Sequence, residues 1–360
     1  LRPPVKVFVV VAFAALLTAC TFSMLELTQE FQVTDILPHD SYVSDYLEAA
    51  ELYSNSTRFT VEVYFRDVNQ SDPDMQAQMR NYIDALDELD YVEAPAGGDL
   101  GRFWLTDLSL YLFFTPELLD KPFNERLDAF LSQPLYHKAH NNNIARDADG
   151  NVIASRTTVR MSVDLNNVQE QIGAISRQLD VTREYPVNEG SDDFAFFTYT
   201  DLYNIWEFYS RSTNAIIQTT VVGMISITAV ALLFIPHWTA APIVLPMCCI
   251  MYIDLLGMMQ WGGLHINAMV YVCLTMSIGL TVDFVIHVLF RYYEMQGNRH
   301  EKSVGMLTSM GASVLLAGMT TFLGILPLLF TTSDVFETIF ISFLGIVAVG
   351  MGHGLILLPV

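Results

Sequence analysis

Asp283 lies in the middle of an apolar run, GLTVDFVIHVLF, with Gly279 four residues before it and His287 four residues after. In a helix, positions four residues apart stack on one face. Asp283 can hold a proton or a cation there. His287 can take the proton on, or it can donate a hydrogen bond to a carbonyl and never titrate. Gly279 leaves space for a neighbouring backbone or for water. An aspartate at the centre of a spanning helix costs roughly 2.5–3.5 kcal/mol even on lenient insertion scales, so it persists where it faces a cavity or a partner. The spacing points to an ion or proton site. The alternative is a buried hydrogen-bonding pair that only holds helices together.

Two further ionisable residues fall in apolar segments. His353 sits between glycines in VGMGHGLILLPV, where small residues permit close helix packing. It is either a weaker relay partner for Asp283 or a structural, hydrogen-bonded histidine. Asp254 lies beyond mid-span, toward a helix end where water is expected to reach it. The pair His137 and His140, in HKAH, has spacing that could touch a metal, but no third ligand follows at a regular distance. It is read as surface chemistry. There is no phosphate loop, GxSxG or HExxH motif, so no enzyme, metal or cofactor is expected.

The elements that must position Asp283 are set by composition. The chain has 360 residues, 52% of them hydrophobic, and a formal net charge of −21. Its mean hydropathy is +0.36. One soluble domain fits these values badly; a polar part joined to a membrane part fits them well. Residues 25–208 hold 33 of the 39 acidic and 12 of the 18 basic residues, so the excess acid lies in one region. That excludes nucleic acid as a partner. The four cysteines (Cys20, Cys248, Cys249, Cys273) all lie in apolar segments, which excludes a disulfide framework.

Six segments meet the length of about 20 apolar residues that a spanning helix needs: 5–24, 212–235, 241–260, 264–290, 304–330 and 335–360. The expected organisation is a transmembrane helix over 1–24, an acidic domain over 25–208 and a five-helix bundle over 209–360. Arg2, Lys6, Arg291, Arg299 and Lys302 flank spans on one side, which the positive-inside rule makes cytoplasmic. The acidic domain is then extracellular or lumenal, where the sequons at Asn55 and Asn69 would accept glycans.

Within the acidic domain, FTVEVYF at 59–65 alternates as a half-buried strand does. A helix is expected over 74–89, opened by Asp72-Pro73, and another over 123–131. An Asp-Gly turn at 147–151 leads into the strand-like VIASRTTVRMSVDL, which makes a hairpin. A helix over 166–182 and a strand over 194–200 follow. Strand–helix–hairpin–helix–strand is the ferredoxin-like order, with an insertion near 95–135. The fold class is therefore a membrane protein with an α+β ferredoxin-like domain outside the bilayer.

The combination GLTVDFVIH, RYYE, MLTSMGASVLLAGMTTFLGILPLLF, DVFETIF and HGLILLPV, with ILPHDSYVSDYL after the first helix, resembles the C-terminal half of the Patched family. That family includes Patched-related and Patched-domain-containing proteins, Dispatched and the Niemann-Pick type C sterol transporter, in the resistance-nodulation-division superfamily. The resemblance covers nearly the whole chain. It implies the second half of a twelve-helix fold: family helix seven, the second ectodomain and helices eight to twelve. The first helix is then a true span, not a signal peptide, and the chain is a piece of a larger protein.

The resemblance further implies that Gly279 and Asp283 form the family's GxxxD motif, with His287 beside it, and that the motif couples proton or sodium movement to transport. Acidic partners would come from the absent N-terminal half. The ligand would be a sterol or another lipid, and the membrane the plasma or an endosomal membrane. The competing expectation is a receptor or scaffold that binds a lipid-modified extracellular ligand without transport.

Overall fold

Strand alternation, helix caps and long apolar runs account for the elements in the computed structural model, which describes residues 2–30, 38, 40–53, 58–93, 101–164, 167–235 and 237–360. The chain divides into two units, residues 50–210 and residues 1–49 with 211–360. In chain order the helices and strands are α1 (Pro3–Met24), α2 (Tyr42–Tyr53), β1 (Arg58–Arg66), α3 (Pro73–Asp87), β2 (Val92–Glu93), α4 (Trp104–Phe114), α5 (Phe123–Leu131), α6 (Pro134–His140), β3 (Ile144–Arg146), β4 (Val152–Ser162), α7 (Val168–Glu184), β5 (Phe196–Tyr199), α8 (Leu202–Phe234), α9 (Ala241–Trp261), α10 (Ala268–Glu294), α11 (Arg299–Met306), α12 (Ala312–Ile325) and α13 (Asp334–Gly352).

The unit at 50–210 is an antiparallel sheet with the order β2-β4-β1-β5, and β3 adds a hairpin edge to β4. With α3 after β1 and α7 after β4, this is the strand–helix–hairpin–helix–strand order expected from the sequence. Along β1, Val61, Val63 and Phe65 are fully buried, which is the period-two pattern of a strand with one face on a core. Met79, Tyr82, Ile83 and Leu86 of α3 cover that face with Phe196 of β5. Asp72 accepts from the Asp74 backbone N–H at 3.2 Å and Pro73 opens α3, as the cap signature predicts. Asn167 caps α7 in the same way; the preceding two residues lie outside those described.

The described part of the insertion between β2 and β3 is helical, and of α4, α5 and α6 only α5 is legible in periodicity. Arg102 ties it to the sheet. Its guanidinium donates both outer nitrogens to Asp87 at 2.9 and 3.0 Å, and its Nε to the Thr158 carbonyl, while the Thr157 hydroxyl donates to its own carbonyl at 2.8 Å. Both partners of the ion pair are largely buried. Hydrogen bonds to charged groups are worth about 1.5–3 kcal/mol. Arg102→Ala is therefore expected to destabilise this unit by about 2–3 kcal/mol in thermal melting, with little recovery by Arg102→Lys, whose point charge cannot reproduce the fork.

Of the HKAH histidines, His137 is exposed, as the surface reading has it, but His140 is not. His140 is buried, its Nε2 lies 2.6 Å from Asp107, and its ring stacks on Phe130. Asp107 also accepts from the Gly101 N–H at 2.9 Å. His140 thus helps hold the helical insertion together.

Among the described residues, six helical segments are long and apolar enough to cross a membrane: Pro3–Met24, Leu202–Phe234, Trp238–Trp261, Ala268–Glu294, Arg299–Phe330 and Asp334–Leu357. The chain is an integral multi-pass membrane protein. The second begins ten residues earlier than hydropathy indicates. Its first turns, LYNIWEFYSR, are polar on average, yet Tyr203 and Trp206 bury themselves in the sheet unit's core. The fifth combines α11 and α12 through a π-helical turn at Leu307–Gly311, and the sixth extends α13 through another at His353–Leu357. Asn298 and Glu301 form a reciprocal capping box at the start of α11.

Candidate functional site

Among the described residues of the helical unit, two groups of ionisable side chains lie within the apolar spans. The first is on α10, which Asn267 starts by accepting from the backbone N–H groups of Met269 and Val270, both at 3.0 Å. One face of α10 carries Ser277, Thr281, Val285, Val288 and Leu289, all buried in the bundle. Gly279, Asp283 and His287 lie on another face, and all three are exposed. A Cβ built on Gly279 meets nothing within 4 Å. Among the described residues, neither Asp283 nor His287 has a hydrogen-bond or ion-pair partner. The structure thus places the three expected residues together on one uncovered stripe. Such a stripe is chemically able to bind a proton or, with further oxygen ligands, a cation.

The second group is buried. Asp254 of α9 is completely inaccessible, not reached by water at a helix end as expected. Its Oδ2 lies 3.2 Å from Nε2 of His353, which is also buried. His353 therefore meets Asp254. Its other nitrogen, Nδ1, lies 2.9 Å from the Val349 carbonyl. The π-turn closes behind it through the Leu358 N–H, which donates to the His353 carbonyl at 2.8 Å. Such turns insert one residue into the helical ladder and often occur at functional positions. The Phe13 ring meets the imidazole edge-on at 4.8 Å between centroids.

Close helix contacts seal this group. A Cβ on Gly257 would lie 2.4 Å from the Cys20 Cα, so α1 and α9 touch backbone to backbone. The Ser23 hydroxyl donates to the Gly257 carbonyl at 3.2 Å in the same contact. On the opposite side, Gly350 and Gly354 give way to Phe284 of α10. Overpacking of a close contact costs about 1–3 kcal/mol. Gly257→Leu is expected to lose at least that much in detergent melting curves, because the neighbouring atom is backbone and cannot rotate away.

Of the remaining expected residues, Asn69 is exposed, and its side-chain oxygen accepts from the Ser71 N–H at 3.2 Å and the Ser71 hydroxyl at 2.6 Å. Asn55 lies outside the described residues. Among the described residues there is no group of three or more His, Cys, Asp or Glu side chains placed to hold a metal.

No family model matches the chain. It is 30% identical over 207 residues to "NPC intracellular cholesterol transporter 1 homolog 1b" of Drosophila melanogaster, covering 57% of this chain and 16% of that protein. It is 34% identical over 130 residues to human "Protein patched homolog 2", covering 36% of this chain and 11% of that protein. Its fold matches the cryo-EM structure of the hedgehog release protein Disp from the water bear Hypsibius dujardini with a TM-score of 0.58 and 16% identity. That match covers 99% of this chain and 47% of the other. The chain thus spans well under two thirds of each of these proteins. With partial sequence likeness to Niemann-Pick type C1 and Patched proteins, and with the fold seen in Disp, the chain is related to the Patched group of membrane proteins.

Proposed function

We propose that this chain is the second half of a twelve-helix transporter that moves a sterol or another lipid, driven by a proton or sodium gradient acting at Asp283. The single observation behind this reading is the uncovered stripe of Gly279, Asp283 and His287 on a helix whose other side is packed. A charged stripe at membrane depth is costly against lipid, so it calls for a protein partner or a water-lined cavity. An N-terminal half would supply that partner, with Gly279 allowing its helix to come close. Protonation or cation binding between the halves then favours one of two conformations by its difference in affinity, which is what an ion needs to drive a switch.

A lipid cargo is supported by the cholesterol transporter among the relatives and by an apolar groove of about 300 Å³ in the bundle. Met24 and Leu27, Ile217 and Val221, Tyr252 and Leu274 line it, and the Thr220 hydroxyl donates to the Tyr252 hydroxyl at 3.0 Å in its wall. Small-molecule sites combine such apolar walls with a few placed polar groups. The sheet unit is assigned to the extracellular or lumenal side on the basic residues at the opposite ends of the spans and on the exposed Asn69 sequon. A glycosidase-sensitive mobility shift that disappears in Asn69→Gln tests that side.

The transport reading is tested with the whole protein in sealed vesicles, by following a labelled sterol while a proton or sodium gradient is imposed. Transfer should follow one of the two gradients. Transfer that is indifferent to both, or ligand binding without transfer, would support a receptor instead.

A further inference from the structure

We propose that Asp254 and His353 form a second intramembrane proton-binding site, separate from the α10 stripe, that holds one proton between carboxyl and imidazole. The geometry leaves little choice. The Val349 oxygen is a carbonyl and can only accept, so the His353 nitrogen facing it, Nδ1, carries a hydrogen. In the neutral ring, Nε2 then presents a lone pair to Asp254 Oδ2 at 3.2 Å. An ionised carboxylate would present lone pairs in return, and the two would repel. One proton between them turns that contact into a hydrogen bond.

The surroundings decide which atom holds it. From α1 the pair is faced by the Cys20 thiol and the Phe13 ring. From α10, Phe284 packs on the glycines that flank His353. Apart from the Cys20 thiol, which interacts with Asp254, no second acid or base pairs with either group among the described residues. Both side chains are buried, and neither the Asp254 oxygens nor His353 Nε2 has a well-aligned hydrogen-bond partner. Charges taken into such surroundings lose several kcal/mol of hydration each, so the neutral arrangement is favoured: Asp254 is a carboxylic acid that donates from Oδ2 to Nε2. The backbone contact of Cys20 with Gly257 closes the site.

Infrared spectroscopy of the whole protein tests this. The spectrum should contain a carboxylic-acid C=O band. The band should shift when aspartate is isotopically labelled at its side-chain carboxyl carbon, which requires no mutation. It should vanish in Asp254→Asn, move in His353→Gln, and persist in Asp283→Asn. Asp254→Asn keeps an N–H that can donate to Nε2, so it should remain folded. Absence of an aspartic-acid band from the labelled wild-type protein would overturn the proposal. So would a band that survives in Asp254→Asn. Because the Asp283 variant is read separately, failure here would leave the transport reading standing, and failure of transport would leave this site standing.

Discussion

Asp283→Asn in the whole protein is expected to cut gradient-driven lipid transfer by about 5- to 150-fold, the range of ordinary coupling free energies, while leaving folding and insertion intact. The structure supplies both parts of that expectation. Asp283 has no partner among the described residues of its own chain, so no internal contact is lost on substitution. Asparagine also removes the cost of a carboxylate at membrane depth, so insertion does not suffer. What disappears is the group whose charge changes when a proton or cation binds. Without that difference an ion gradient no longer favours one conformation over the other. Asp283→Glu keeps the charge and should retain a measurable part of the gradient dependence. Transfer assays with and without a gradient, on protein matched for surface expression, check both variants.

The second large effect is expected at the buried pair. Removing one member of such a neutral pair costs about 1–3 kcal/mol, because the other is left buried without its partner. Asp254→Val and His353→Leu should each show a loss of that size in thermal unfolding of the detergent-solubilised protein. Replacing both with apolar residues should cost much less than the sum, since neither unpaired group then remains. Asp254→Asn should stay close to the wild type, because its amide can donate to Nε2. Additive losses in the double variant would mean that the two side chains do not act on each other.

The α10 stripe was legible in sequence because its chemistry is local. Three residues at helical spacing in an apolar run define a face without reference to any other element, and the structure keeps them on one face. The Asp254–His353 pair was not legible. It depends on the register of α9 against α13 and on the π-turn that begins at His353, neither of which leaves a periodic signal. The chain order of strands and helices could be read from alternation in β1 and β4 and from the Asp-Gly turn between β3 and β4, though β2 left no such signal. The burial of His140 could not, because it rests on Asp107 and Phe130 from two other helices of the insertion. The early start of α8 was also hidden, since its polar turns are held by Tyr203 and Trp206 in the core and not by hydropathy.

The central claim is that ion binding at Asp283 and lipid movement are one process. Its most direct test is to record ion flux and sterol transfer together in vesicles that contain the whole protein and carry no initial ion gradient. Adding sterol to one side should set proton or sodium ions moving in wild-type vesicles and leave them still in Asp283→Asn vesicles. Sterol that crosses at the wild-type rate with no accompanying ion movement would contradict the account.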